Sequence, residues 1–107
     1  MTAEERTEAN RRRGRNNKRK GTKSEHRSML RHVQSGAFCI RSGGSLGLFD
    51  FLAVYPSVLV FIQVKSNRWP GKAEMEAIST FKSPYYGRKI IERWDDYARE
   101  PLVREIA

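Results

Sequence analysis

The chain has 107 residues, of which 38% are hydrophobic, and it carries a formal net charge of +9. A chain of this length has room for one domain with a modest core, and such small units often dimerise. Its only cysteine, Cys39, cannot form an internal disulfide, which is consistent with a reduced, intracellular compartment. We see no signal peptide, and the longest apolar run, Val58 to Ile62, is far shorter than the ~20 residues that span a membrane.

The positive charge is concentrated near the N-terminus. Residues 1–23 carry nine Lys or Arg against three Glu, whereas the remaining 84 residues carry twelve against nine. Residues 11–20 contain no apolar side chain to bury, so we predict that residues 1–20 form a basic arm that is disordered in isolation and binds nucleic acid. No apolar stripe accompanies these charges, which argues against a membrane surface. A solvated tail without a partner is the alternative. The side chains expected to contact DNA are Arg11, Arg12, Arg13, Arg15, Lys18, Arg19, Lys20 and Lys23, with Arg41 further along the chain.

The first element predicted after the arm is a helix. Ser24 can cap a helix that begins near Glu25 and ends at Gly36. Its predicted apolar stripe consists of Met29, Leu30 and Val33. His32 is expected to face solvent.

Alternating hydrophobic runs follow the first helix and predict a sheet. The predicted strands cover residues 37–42, 49–55, 58–65, 89–94 and 102–106, and a second helix covers residues 72–81. The order is therefore α-β-β-β-α-β-β. Over residues 21–107 this predicts an α+β domain with a central mixed, mainly antiparallel five-stranded sheet flanked by helices.

The second and third strands form a hairpin that brings polar residues together. Asp50 opens the second strand, and Gln63 and Lys65 close the third, after the turn residues Pro56 and Ser57. A two-residue or symmetric four-residue loop places Asp50 opposite Gln63, with Cβ atoms roughly 5 Å apart. The two-residue repeat of a strand keeps Lys65 on the same face as Gln63, about 6.6 Å further along. These distances suit a shared cation.

The residue types at this position match the needs of phosphodiester hydrolysis, in which negative charge builds on a phosphoryl group. A hard divalent cation held by oxygen ligands neutralises that charge and lowers the pKa of a bound water. Asp50 would be the anchoring carboxylate, while the Gln63 side-chain carbonyl and the Val64 backbone carbonyl could complete the set. Lys65 could orient the attacking water or stabilise the developing charge. Glu25, from the first helix, would be a further catalytic carboxylate and metal ligand.

Three segments carry a family resemblance. They are Lys18-Arg19-Lys20-Gly21 leading to Glu25, Arg41-Ser42-Gly43-Gly44-Ser45 leading to Asp50, and Gln63-Val64-Lys65-Ser66. In order and spacing they resemble the archaeal-type Holliday junction resolvases of the PD-(D/E)xK nuclease superfamily, and the resemblance covers residues 18–107. The chain departs from the pattern at Gln63, where the family usually has Glu.

The resemblance implies a restriction-endonuclease-like fold and a Mg²⁺-dependent endonuclease, with Mn²⁺ able to substitute. It implies a homodimer that resolves four-way junction DNA by paired cuts, without a nucleotide cofactor and without a membrane. It also implies that Ser42 or Ser45, in the glycine-serine loop before Asp50, contributes to catalysis. Such an enzyme would work in the cytoplasm beside the nucleoid, or in the host cytoplasm if the chain is viral. Two alternatives stay open: a related nuclease acting on other branched or duplex DNA, and a noncatalytic nucleic-acid-binding protein in which Gln63 marks a decayed site.

Overall fold

A computed structural model describes residues 2–41 and 47–107, and the side chains of residues 7–20 are outside that description. Two helices and five strands follow in the predicted order. They are α1 (Ala3–Gln34), β1 (Phe38–Arg41), β2 (Phe51–Val54), β3 (Leu59–Ser66), α2 (Lys72–Thr80), β4 (Gly87–Trp94) and β5 (Leu102–Ile106).

The five strands form one mixed sheet in the order β1-β2-β3-β4-β5. β3 and β4 are parallel and are joined by the α2 crossover, whereas the other neighbouring pairs are antiparallel. Phe51 pairs with Ile62 and Val54 with Leu59, which is the predicted hairpin register. The predicted α+β fold is therefore confirmed.

Each face of the sheet packs against one helix because alternate strand residues point to opposite sides. Val60 and Ile62 belong to a buried cluster that Met29 of α1 covers. Phe61 belongs to a second cluster that contains Ile78 of α2. The sheet thus lies between two helical layers.

The first helix begins at Ala3 and not near Glu25, so the predicted start was wrong. Thr2 caps it by accepting a hydrogen bond from the backbone N–H of Glu5, at 3.1 Å. The missed segment is rich in Arg, Lys and Glu, which favour helix without producing an apolar stripe. The helix includes the backbone of residues 3–20. Disorder of that arm in isolation, and the division into an arm at 1–20 and a nuclease domain at 21–107, stay predictions.

Polar side chains hold α1 on the sheet. Ser24 is buried within the helix and is not a cap; its hydroxyl lies 2.9 Å from that of Ser66 at the end of β3. One turn later, the buried Ser28 hydroxyl accepts a hydrogen bond from Trp94 Nε1 at the end of β4, at 2.6 Å. Because serine is small, these contacts let α1 lie close to the carboxyl ends of the two parallel strands.

The third buried position of this stripe is His32, which was wrongly expected to face solvent. Its Nε2 lies 2.8 Å from Oε2 of Glu92, which is fully buried in β4, and its Nδ1 bonds with the Tyr55 hydroxyl. The predicted apolar stripe was also wrong in part, because Leu30 and Val33 are about half exposed while Met29 reaches the core.

The second helix is fixed at its C-terminal end by β4. Lys89 is buried, and its Nζ donates hydrogen bonds to the carbonyls of Ile78, Ser79 and Phe81 at 2.8 to 3.0 Å. These carbonyls belong to the end of a helix, where backbone acceptors lack partners within the helix. The contact fixes α2 relative to the sheet, and so fixes the position of its first turn.

The edge strand β1 is largely exposed. Phe38 and Ile40 are exposed because α1 covers only one face of this strand, and Cys39 is half-buried as a free thiol. Neither helix in the described part of the chain has the length and hydrophobicity needed to cross a membrane.

Candidate active site

Asp50 lies immediately before β2 and is bonded to β3 by both its backbone and its side chain. Its N–H donates to the Ile62 carbonyl at 2.8 Å, and its Oδ2 accepts from the Val64 N–H at 2.6 Å. The paired register ends at Phe51 and Ile62, and these two bonds hold Asp50 at the carboxyl end of β3.

The environment of Asp50 disfavours its charged form. Burial raises the pKa of its carboxyl group. The Val64 N–H and the Lys65 ammonium oppose that rise, while the Glu74 carboxylate adds to it. Desolvation and a like charge are both relieved by a nearby cation, so this carboxylate suits a positively charged ligand.

Gln63 is buried beside Asp50, with only 7% of its surface exposed. Its Nε2 donates to the Leu48 carbonyl at 3.1 Å and lies 3.5 Å from Glu74 Oε2. Its Oε1 is buried and has no hydrogen-bond partner among the described residues. This acceptor is the side-chain carbonyl oxygen predicted as a ligand.

Lys65 is paired with an acid that the sequence reasoning missed. Its Nζ lies 2.8 Å from Glu74 Oε2 and 3.1 Å from Oε1. Glu74 belongs to the first turn of α2. A signal for it was present, because Glu74 precedes Ile78 by four residues and so lies on the helix face that packs on the sheet.

Glu25 approaches from the middle of α1, where the neighbouring Ser24 contact with Ser66 holds the helix. Its Oε1 lies 3.3 Å from Arg41 Nε. Burial raises the pKa of the Glu25 carboxyl, and the nearby Asp50 charge raises it further, whereas Arg41 opposes the rise. The carboxylates of Glu25 and Asp50, both predicted site residues, are thus near enough to repel each other.

The remaining predicted residues fall into three groups. Ser42 and Ser45 lie outside the described residues, and so do the side chains of Arg11, Arg12, Arg13, Arg15, Lys18, Arg19 and Lys20. Lys23 is exposed at the surface, and Arg41 is exposed but bonded to Glu25. The Val64 N–H donates a hydrogen bond to the Asp50 carboxylate. A ligand role for the Val64 carbonyl stays a prediction.

A cavity of about 540 Å³, lined by charged and aromatic side chains, opens along α1 around Arg27. The Arg27 guanidinium lies 4.2 Å from the centre of the Trp94 ring and donates to the Ala98 carbonyl at 2.7 Å. Tyr97 is fully exposed at the rim. The other lining residues are Lys23, Ser24, Asp95, Asp96 and Arg99.

The acids of the site are spread across three elements and not gathered into one tight cluster. Over the described ranges, no three or more His, Cys, Asp or Glu side chains are grouped so that they could hold a metal ion. A cation here would therefore need amide or backbone oxygens as well as carboxylates. Asp50 and the unpartnered Gln63 Oε1 fit that requirement, since hard divalent cations accept oxygen ligands of both kinds.

The fold is similar to that of a known nuclease. A solved structure of Hjc, a Holliday junction resolvase from the archaeal hyperthermophile Archaeoglobus fulgidus, matches with a TM-score of 0.62 and 21% sequence identity, over 81% of this chain and 71% of that chain. No protein-family model matches the sequence. A search of curated proteins finds no match either. The similarity therefore concerns the fold.

Proposed function

We propose that this chain is an archaeal-type Holliday junction resolvase: a Mg²⁺-dependent endonuclease that cuts four-way DNA junctions as a homodimer. The observation that carries the proposal is the meeting of Asp50, Gln63 and Lys65 at the carboxyl end of β3, in a fold similar to that of Hjc. The order of these residues along the chain supports it independently.

Asp50 and Gln63 are the side chains proposed to hold the cation, with the Val64 carbonyl as a further oxygen. Mn²⁺ would serve in place of Mg²⁺ because both accept oxygen ligands. When bound, the cation would lower the pKa of a water and neutralise charge on the scissile phosphate. The Val64 N–H bond fixes the direction of the Asp50 carboxylate before any ligand arrives.

Lys65 and Glu25 have separate proposed roles. Lys65 provides a positive charge on the Asp50 side of the sheet, where it can stabilise charge on the phosphoryl oxygens or orient the attacking water. Glu25 adds negative charge from the α1 side. Ser42 or Ser45 is proposed to contact the phosphate from the loop that precedes Asp50.

The DNA backbone is proposed to run over the basic arm and the cavity along α1 around Arg27. Lys23, Arg27 and Arg99 supply positive charge there, and the exposed Tyr97 ring offers a surface for stacking. Paired cuts on opposed strands need two active sites, which a two-fold dimer provides. The dimer is testable by sedimentation equilibrium of the free protein.

The experiment uses three labelled substrates of equal length in Mg²⁺: a four-way junction, a matched duplex and a single strand. Paired nicking confined to the junction is the expected result. Equal cutting of the duplex would instead indicate another nuclease of the superfamily. A noncatalytic DNA-binding protein is the second candidate, favoured by the uncharged side chain at Gln63, and binding without cutting would establish it.

A further inference from the structure

The amide group of Gln63 is a hydrogen-bond donor facing the carboxylate of Glu74. The Gln63 Nε2 lies between two acceptors, the Leu48 carbonyl at 3.1 Å and the Glu74 carboxylate at 3.5 Å. A carboxylate at position 63 would turn an acceptor oxygen toward both of these groups. The amide therefore fits this position because a negative charge already stands on the helix facing it.

Glu74 also contacts the second polar residue of β3. Both of its carboxylate oxygens lie within 3.1 Å of Lys65 Nζ. Glu74 is near enough to Asp50 to raise the pKa of that carboxyl group. A single helix residue thus faces the three side chains that the sequence motif places at the end of the hairpin.

The side-chain oxygen of Gln63 is a hydrogen-bond acceptor without a partner among the described residues, which indicates a ligand. Gln63 is more than nine-tenths buried, yet its Oε1 has no partner in the described part of the chain. Buried carbonyl oxygens are nearly always hydrogen-bonded, so an exception indicates a binding partner. With its amide nitrogen committed to Leu48 and Glu74, the oxygen is left for a cation or a cation-bound water.

We infer that Glu74 is the second carboxylate that binds the divalent cation. The resembled family usually has Glu at position 63, and here Glu74 of α2 supplies the negative charge that Gln63 lacks. This inference rests on the proposed function, since it requires the site to bind a cation. In it, Asp50 and Glu74 supply the charge, and Gln63 supplies a neutral oxygen. The amide at position 63 then belongs to an intact site and not to a decayed one.

The test measures Mn²⁺ binding by calorimetry on the full chain, without DNA, so that its result does not depend on cleavage. Glu74→Gln is expected to weaken Mn²⁺ binding about tenfold or more, since even residues that only orient a metal ligand have effects of this size. Glu76→Gln is the matched control, because it removes the same charge from an exposed position on the same helix. It should leave Mn²⁺ affinity unchanged.

A second variant keeps the test valid if Glu74→Gln is poorly folded. The double variant that combines Gln63→Glu with Glu74→Gln again has one amide and one carboxylate, with their positions reversed. It should recover Mn²⁺ affinity. Affinity that stays at the level of Glu74→Gln would overturn the inference. So would a Glu74→Gln variant that binds Mn²⁺ normally but cuts poorly, because Glu74 would then only position Lys65.

Asp50→Asn separates this inference from the proposed function. If Asp50→Asn abolishes Mn²⁺ binding and Glu74→Gln does not affect it, the cation site stands and the assignment of Glu74 is wrong. If neither variant changes Mn²⁺ binding, or the natural chain binds none, the proposed metal-dependent activity fails together with the inference.

Discussion

Replacing Gln63 with the Glu usual in the resembled family is expected to destabilise the protein when no metal is present. The change removes the hydrogen bond to Leu48, worth ~0.5–1.5 kcal/mol. It also places a buried carboxylate about 3.5 Å from Glu74. At an effective dielectric constant of ~20, two charges at that distance repel by ~5 kcal/mol. Lys65 lies against the same acid and offsets part of this repulsion, and the Glu74 side chain is 45% exposed, so water screens much of the rest.

The expected net loss is therefore ~2–4 kcal/mol, a large fraction of the ~5–15 kcal/mol that stabilises a typical domain. The assay is urea unfolding of Gln63→Glu in EDTA at neutral pH. Gln34→Glu is the control, because it adds the same charge at an exposed position, where the loss should be below ~1 kcal/mol. The double variant that combines Gln63→Glu with Glu74→Gln should recover most of the lost free energy of unfolding.

The loss should also depend on pH. The introduced carboxyl group has a folded-state pKa above its unfolded value of ~4.3, so the folded state binds the proton more tightly. Its destabilising effect is therefore full at neutral pH, shrinks as the pH falls through the folded-state pKa, and is absent below the unfolded value. Equal stability of Gln63→Glu and the natural chain in EDTA at neutral pH would refute the match between positions 63 and 74.

Three further predictions concern other parts of the molecule. Asp50→Asn should abolish cleavage and leave junction binding intact in a gel-shift assay, because it removes the anchoring charge but not the basic surface; undiminished cutting would contradict the assignment. His32→Ala should lower the free energy of unfolding by ~1–3 kcal/mol in urea, because it removes one hydrogen-bond partner of the buried Glu92 while Arg31 keeps its contact; a loss below ~0.5 kcal/mol would show that this network contributes little. Deleting residues 1–20 should make the dependence of log affinity on log salt shallower, and an identical slope would mean that the arm makes no phosphate contacts.

The sheet and the hairpin were predictable because their signals are local. Alternation over residues 49–55 and 58–65, with Pro56 and Ser57 between them, determines the register that pairs Phe51 with Ile62 and so brings the preceding Asp50 to the carboxyl end of β3. Once that register is known, Lys65 follows from the two-residue repeat. These parts of the site need no knowledge of distant contacts.

The burial of α1 was not predictable from hydrophobicity. Among the helix side chains that the structure describes, the buried ones are Ser24, Ser28 and His32, whose partners lie in β3, β4 and the segment after β2. A pattern search that looks for apolar stripes instead selects Leu30 and Val33, which are about half exposed. Small and polar residues bury well when specific partners exist, and those partners are known only after the chain has folded.

Glu74 was missed for a related reason. An acid in the first turn of a helix has an ordinary explanation in the helix dipole, and nothing in its neighbours along the chain connects it with Lys65. The connection is made by the crossover, which brings the start of α2 over the end of β3. The four-residue spacing to Ile78 becomes informative only when the helix is known to pack on that face.

The anchoring of α2 by Lys89 has a consequence for how the residues of such a site can change in evolution. Because three backbone carbonyls at the far end of the helix are tied to β4, side chains on its opening turn can be exchanged without loosening the scaffold. A strand residue has no such freedom, since its neighbours on both sides depend on its shape. An acid borne by α2 can therefore be gained or lost by single substitutions, and searches for related chains should inspect this turn before dismissing those that lack an acid on the strand.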